Sequence, residues 1–339
     1  MIFGKKGRER FSEAVTGFET AVLERDGDRS ESAFQQLYQH FADASGQELA
    51  QAAPRLAALL PEVPTGARGT VAVVVGACVE RGADATVCAP HVFEGLAENL
   101  AGVQRFCERW QATGGGDFPD PGETGADVFD RVGTEETLSW IALPQWEMAG
   151  VAMLNHASVR TALTAERRDA LLTALRSVEE VSGHDFKCLA YALLVLDEPL
   201  VVLHRPTGTG YALRMSGIGD NFQLHTLLAD VLIGGGHVPG TAPSAEEAAV
   251  CRDQPGQVLT TGAFNLVTPG GEWVWNEGTP SDIPVVDGVR LLVLDPAPYQ
   301  RSWPSGRFFP HMTGSLVLDR VLGAEEAGRL LASCVTKES

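Results

Sequence analysis

Asp220, His225, Asp230 and His237 are residue types that ligate metals or move protons, and they fall within 18 positions of one another. They sit in "YALRMSGIGDNFQLHTLLADVLIGGGHVPG", residues 211–240. A metal site needs its ligands to converge. On a helix, only residues three or four apart share a face. His225 and Asp230 are five apart, so they point roughly 140° apart at ~100° per residue. Asp220 and His225 carry the same mismatch. Asn221 does share a face with His225, but a carboxamide is a poor ligand for a transition metal. His237 lies beyond a glycine run. The chain has no H-E-x-x-H and no Asx-rich calcium loop. Its six cysteines, Cys78, Cys88, Cys107, Cys188, Cys251 and Cys334, form no C-x-x-C and take no zinc spacing with histidine. No metal is expected, and the thiols read as buried and reduced.

The same stretch fails as a nucleotide loop. Gly217 and Gly219 supply two positions of G-x-G-x-x-G, but Phe222 occupies the third, where a ring opposes close helix–strand approach. No lysine follows the glycines as a Walker A loop requires. Ser216 lacks the G-x-S-x-G context of a nucleophile elbow. No cofactor is expected. The reading that fits best is a strand–turn–helix corner. Gly217 and Gly219 turn the chain, and Asp220 caps the helix and complements its positive end. Phe222, Leu224, Leu227, Leu228, Val231 and Leu232 give an apolar face, and Gly234–Gly236 end the helix. His225 is left over as a buried, hydrogen-bonded residue or an acid/base.

A second cluster lies at 299–312, "YQRSWPSGRFFPHM". Arg301, Trp303, Arg307 and His311 are the binding candidates there. Arginine and aromatic residues together favour hot spots and anion pockets. The plainer reading is a loop pinned to the core by its rings. Trp273 and Trp275, at i and i+2 in "WVWNEG", share one face of a strand and are expected to cover the sheet. His225 and His311 are the candidates for an acid/base role, with Arg301 or Arg307 as an anion clamp.

Those residues must be positioned by two kinds of element. Up to residue 198 the apolar period is helical. Phe11, Val15, Phe18 and Val22 form one stripe; Phe34, Leu37 and Phe41 another; Leu49, Ala53, Leu56 and Leu60 a third. Residues 68–81 are apolar on all sides, Pro90 is read as opening a further helix, and 135–157, 164–182 and 185–197 continue the pattern. Residues 113–125, "TGGGDFPDPGETG", read as a loop or linker. From Pro199 short β-type runs take over: "PLVVLHR", "GYALRMS", 257–267, 271–276, 289–295 and "SLVLDRV", then the helix "AEEAGRLLASC". The expected class is α+β. A helical bundle or HEAT-like stack, 1–198, precedes a mostly antiparallel sheet domain with two or more helices, 199–339.

A formal charge of −18, with a single dense basic run at the N-terminus, argues against a nucleic-acid binder. The basic run Lys5, Lys6, Arg8 and Arg10 reads as a solvated tip. "FSEAVTGFETAVLERD", which follows it, is amphipathic and unlike a signal peptide's apolar region. The apolar run 71–79 falls short of the ~20 residues a bilayer needs. The expectation is a soluble cytoplasmic binding or scaffold protein that recognises a protein or small ligand through its C-terminal domain, without nucleic-acid or membrane partners. The alternative is an enzyme acting on a small anionic substrate through a histidine and an arginine.

Overall fold

The structure, a computed structural model, describes residues 3–335, with side chains from Arg10 onward at the N-terminal end. Lys5, Lys6 and Arg8 therefore lie outside the described side chains; Arg10 is exposed. The chain forms two compact units, Met1–Ala190 and Tyr191–Ser339.

The first unit is all helix: α1 (Phe3–Leu23), α2 (Gly27–Phe41), α3 (Gly46–Leu59), α4 (Thr65–Glu80), α5 (Ala85–Ala112), α6 (Ala126–Val132), α7 (Thr134–Ile141), α8 (Leu143–Leu154), α9 (Ala157–Ala162) and α10 (Ala165–Ser182). The helix α11 (Lys187–Leu194) spans the division. Helix ends follow local chemistry. Asp26 caps α2, Ser45 and Glu48 form a capping box on α3, and Thr164 caps α10, which ends on left-handed Gly183. Pro90 does not open its helix. Asp84 accepts the Thr86 N–H at 2.9 Å and starts α5 earlier, so Pro90 is interior. The long α5 buries Phe93, Leu96, Leu100, Val103 and Phe106 and packs on α7, α8 and α10. The 113–125 stretch is anchored within this unit. The Phe118 ring packs among Phe106, Trp110 and Trp140, and Trp140 Nε1 donates to Pro119 O at 3.0 Å.

The second unit carries a sheet ordered β4–β6–β1–β2–β8: β1 (Asp197–His204), β2 (Thr209–Ser216), β4 (Phe264–Val267), β6 (Val289–Pro296) and β8 (Ser315–Val321). The short β5 (Val285–Val286) pairs with β6. The β1–β6 pair is parallel and the remaining pairs are antiparallel, so the unit is α+β with a mostly antiparallel sheet. Pro199 pairs with Arg214 inside β1, so strand structure begins just before it. Period-2 alternation sorts the side chains. Leu200, Val202, Leu213, Leu292 and Leu294 face α12 (Asn221–Ala229); Val201, Leu203, Leu291 and Val293 face α14 (Ala324–Ala332). The helix α13 (Ala245–Arg252) packs on α12.

Three readings of this unit are corrected. Residues 257–267 split into β3 (Val258–Thr261) and β4 at Gly262, where a Cβ would stand 2.6 Å from the Trp303 ring. Residues 302–305, read as loop, form β7 (Ser302–Ser305), which pairs with β3 in a separate ribbon. Residues 271–276 make one bridge, Trp273 to Val267, and no strand.

Candidate functional site

The corner that opens the quoted stretch is built as its residue types require. Gly217 has φ +67°, and a Cβ there would overlap the Thr313 carbonyl. Gly219 is glycine for space, because a Cβ would lie 2.7 Å from Phe308 Cβ. Asp220 Oδ1 accepts the Gln223 N–H at 2.8 Å and caps α12. Gln223 Oε1 accepts the Gly219 N–H at 2.9 Å, while its Nε2 donates to Cys251 O at 2.7 Å. The helix closes through a π-turn, Asp230–Gly234, and left-handed Gly236. The corner is thus occupied by the protein's own backbone.

Asn221 and His225, one turn apart on α12, act as backbone clamps. The Asn221 N–H donates to Gly278 O at 3.0 Å, and its Nδ2 donates to Trp275 O at 2.8 Å and Thr279 O at 3.1 Å. His225 is fully buried. Its Nε2 accepts the N–H groups of Ala263 at 2.9 Å and Phe264 at 3.2 Å, which places the proton of the neutral ring on Nδ1. The ring stacks on Phe264, centroids 5.8 Å apart, and meets Trp303 edge-on at 5.0 Å. Burial, reinforced by the Arg301 charge, lowers its pKa to about 4. A fully buried imidazole whose acceptor nitrogen is already engaged holds the chain through two backbone N–H groups. His225 Nδ1, Thr260 Oγ1 and Trp303 Nε1 have no hydrogen-bond partner among the described residues.

The segments that α12 clamps converge on Arg301. Gly262, next to His225's partner Ala263, donates its N–H to Arg301 O at 2.9 Å. The Arg301 guanidinium carbon stands 5.5 Å from the Tyr299 ring centroid and 5.7 Å from those of Trp273 and Trp303. Trp273 packs on Trp275 at 5.3 Å. Only Trp303 is buried; Trp273 is 37% exposed, Tyr299 58% and Trp275 61%. The tryptophan pair therefore does not cover the sheet. Val274 between them is buried, and its N–H donates to Leu266 O at 2.9 Å, which turns both indoles outward. Arg301 makes no ion pair among the described residues.

The 299–312 cluster thus divides. Tyr299, Arg301 and Trp303 join Trp273 and Trp275. Farther on, Phe308 and Phe309 press on Gly219, Met312 is buried, and Phe308 meets Tyr191 at 5.2 Å. His311 is exposed in the Phe309–Met312 turn and is not among the partners of His225. Arg307 is half-buried, its Nε without a partner among the described residues. Sequence analysis assigned Trp273 and Trp275 to covering the sheet and did not single out Tyr299. The available signal was Val274: one aliphatic residue between two indoles fits a packed sheet face better than they do.

No group of three or more metal-type side chains occurs among the described residues. No helix there is long and apolar enough to cross a membrane. Comparison with protein-family models, curated proteins and solved structures finds no match.

Proposed function

We propose that this chain is a recognition protein whose α+β unit binds a peptide segment of a protein partner through Trp273, Trp275, Tyr299 and Arg301. The segment presents a carboxylate beside apolar side chains. One observation carries the reading: a guanidinium without a carboxylate partner among the described residues lies against three rings, two of them solvent-facing, with a third exposed ring alongside. Exposed tryptophan, tyrosine and arginine are what interfaces use to concentrate binding energy. Rigid rings lose little entropy on binding, and a guanidinium held against them is pre-organised to take a carboxylate in two parallel hydrogen bonds. The chain as a whole is acidic, with 44 Asp and Glu against 26 Lys and Arg, and the Arg301 guanidinium offers a carboxylate a cation within it. The alternative, an enzyme acting on small anions, would have to rest on the exposed His311 with Arg307 in its loop, because His225 is fully buried.

The test is a displayed peptide library selected on the intact chain. Enriched peptides should carry Asp, Glu or a free C-terminal carboxylate next to aromatic or aliphatic residues. Arg301→Ala and Trp275→Ala should lose them while keeping the parent's circular dichroism and melting midpoint. Enrichment without carboxylates, or full retention by both variants, contradicts the reading.

A further inference from the structure

On α5, Gly95, Asn99 and Gly102 are spaced i, i+4, i+7 and share one face. Glycine in a helix interior is destabilising relative to alanine. Here each glycine admits a neighbour: a Cβ on Gly95 would overlap the Trp146 ring, and one on Gly102 would overlap Ser139 Oγ. Between these two close approaches α4, α5, α7 and α8 line a solvent-open pocket of about 150 Å³. Arg68, Glu98, Asn99, Arg105, Glu135 and Ser139 line it, over Trp146.

Three features make it a built polar site. Asn99 is only 6% exposed, and its Nδ2 has no hydrogen-bond partner among the described residues. A buried amide left so is destabilising, and a bound acceptor recovers that loss. Second, Arg105 is loosely held, its Nε 3.8 Å from Glu136 Oε1, so most of its donors are available. Third, two carboxylates oppose the two guanidiniums. Glu98 takes one hydrogen bond from Arg68 at 2.9 Å and Glu135 one from the Thr65 hydroxyl at 2.7 Å. Each carboxylate keeps lone pairs for another donor.

Charge and size then define the ligand. The lining balances two cations with two anions, which fits neither a bare cation nor a bare anion. At ~30 Å³ per water the space holds roughly five waters, well below the ~300 Å³ or more of pockets for drug-sized molecules. We infer that this pocket binds a small free amino acid. Arg105 and the Asn99 amide take its carboxylate, Glu98 and Glu135 take its ammonium, and its carbon skeleton lies on Trp146. The inference is independent of peptide recognition by the α+β unit.

The experiment is a thermal-shift and calorimetric series on the full chain with the twenty free amino acids at millimolar concentration. Each is paired with its analogue lacking the amine or the carboxyl. One or a few small amino acids should raise the melting midpoint, and both truncated analogues should fail to. Arg105→Gln, at a half-exposed position, should weaken the Kd by about tenfold or more through loss of a charge-assisted contact. Asn99→Leu should abolish the response while keeping or raising the ligand-free midpoint. An unmoved midpoint with every amino acid leaves a water-filled pocket and overturns the inference. An equal response to the amine-free acid, or full affinity in Arg105→Gln, overturns it too.

Discussion

His225 is a buried imidazole that holds two backbone N–H groups. Its type and its position in a glycine-flanked helix suggested chemistry, whereas those N–H groups converge on Nε2 and the Phe264 and Trp303 rings pack against it. The consequence for stability follows from linkage. The folded pKa, about 4, lies below the unfolded value of about 6.5, so the unfolded chain binds more protons between the two. This contribution is full above pH ~6.5 and lost as pH falls towards ~4, by on the order of 3 kcal/mol. His156 and His204, also lowered by burial, add in the same direction. Urea melts across this range should show the decline, and His225→Gln should show a shallower one. Parallel curves for the two proteins would place His225's proton exchange elsewhere.

The corner glycines are readable at the same scale. Asp220→Ala should cost about 0.5–2 kcal/mol, the value of a lost N-cap. Gly217→Ala should cost more, because it meets both a left-handed φ and the Thr313 carbonyl. Neither loss should respond to ATP, NAD or zinc in denaturant melts. A ligand-dependent midpoint in the parent that either variant abolishes would make the corner a binding loop. The cap and the turn were legible in the sequence because both are local. The Gly219 requirement was not, since it comes from Phe308, far along the chain.

Among the elements, helices were read closely wherever an apolar stripe and a cap coincided, as in α3 and α10. Pro90 misled because its rule concerns the first turn, while Asp84 had already started the helix. Strands were harder. Residues 257–267 look continuous, yet the Trp303 ring over Gly262 divides them between two sheets. That ribbon also hid the patch, since pairing β3 with β7 is a long-range event no local pattern encodes. In α5 the sign of a stability change separates propensity from packing. Helix propensity alone makes Gly95→Ala stabilising, whereas overlap with Trp146 should make it destabilising by about 1–3 kcal/mol. Gly328→Ala in α14, where a Cβ meets nothing within 4 Å, should stabilise by roughly 0.5–1 kcal/mol. Equal signs in chemical denaturation would mean that the α5 glycines are not there for close packing.

At the scale of the molecule, the change of period near Pro199 anticipated two architectures, and the compact units divide at Ala190. Each unit has its own buried residues, so each should fold alone. Fragment 1–190 should give a nearly pure helical circular dichroism spectrum and fragment 191–339 a mixed one, both with cooperative melts. A fragment that stays unfolded would show that the division is geometric only. The proposed recognition patch was the least legible feature, because it gathers residues from 273–275 and 299–303 that no short motif joins.

The indole N–H resonances of the intact chain test the recognition claim most directly. Six tryptophans give six probes: Trp110, Trp140 and Trp146 in the helical unit, and Trp273, Trp275 and Trp303 in the other. On titration with a library-selected acidic peptide, the Trp273 and Trp275 signals should move and saturate together, while Trp140 and Trp146 stay fixed. Arg301→Ala should remove the movement. Shifts confined to the helical unit's tryptophans, or saturable binding that leaves Trp273 and Trp275 in place, would contradict the account.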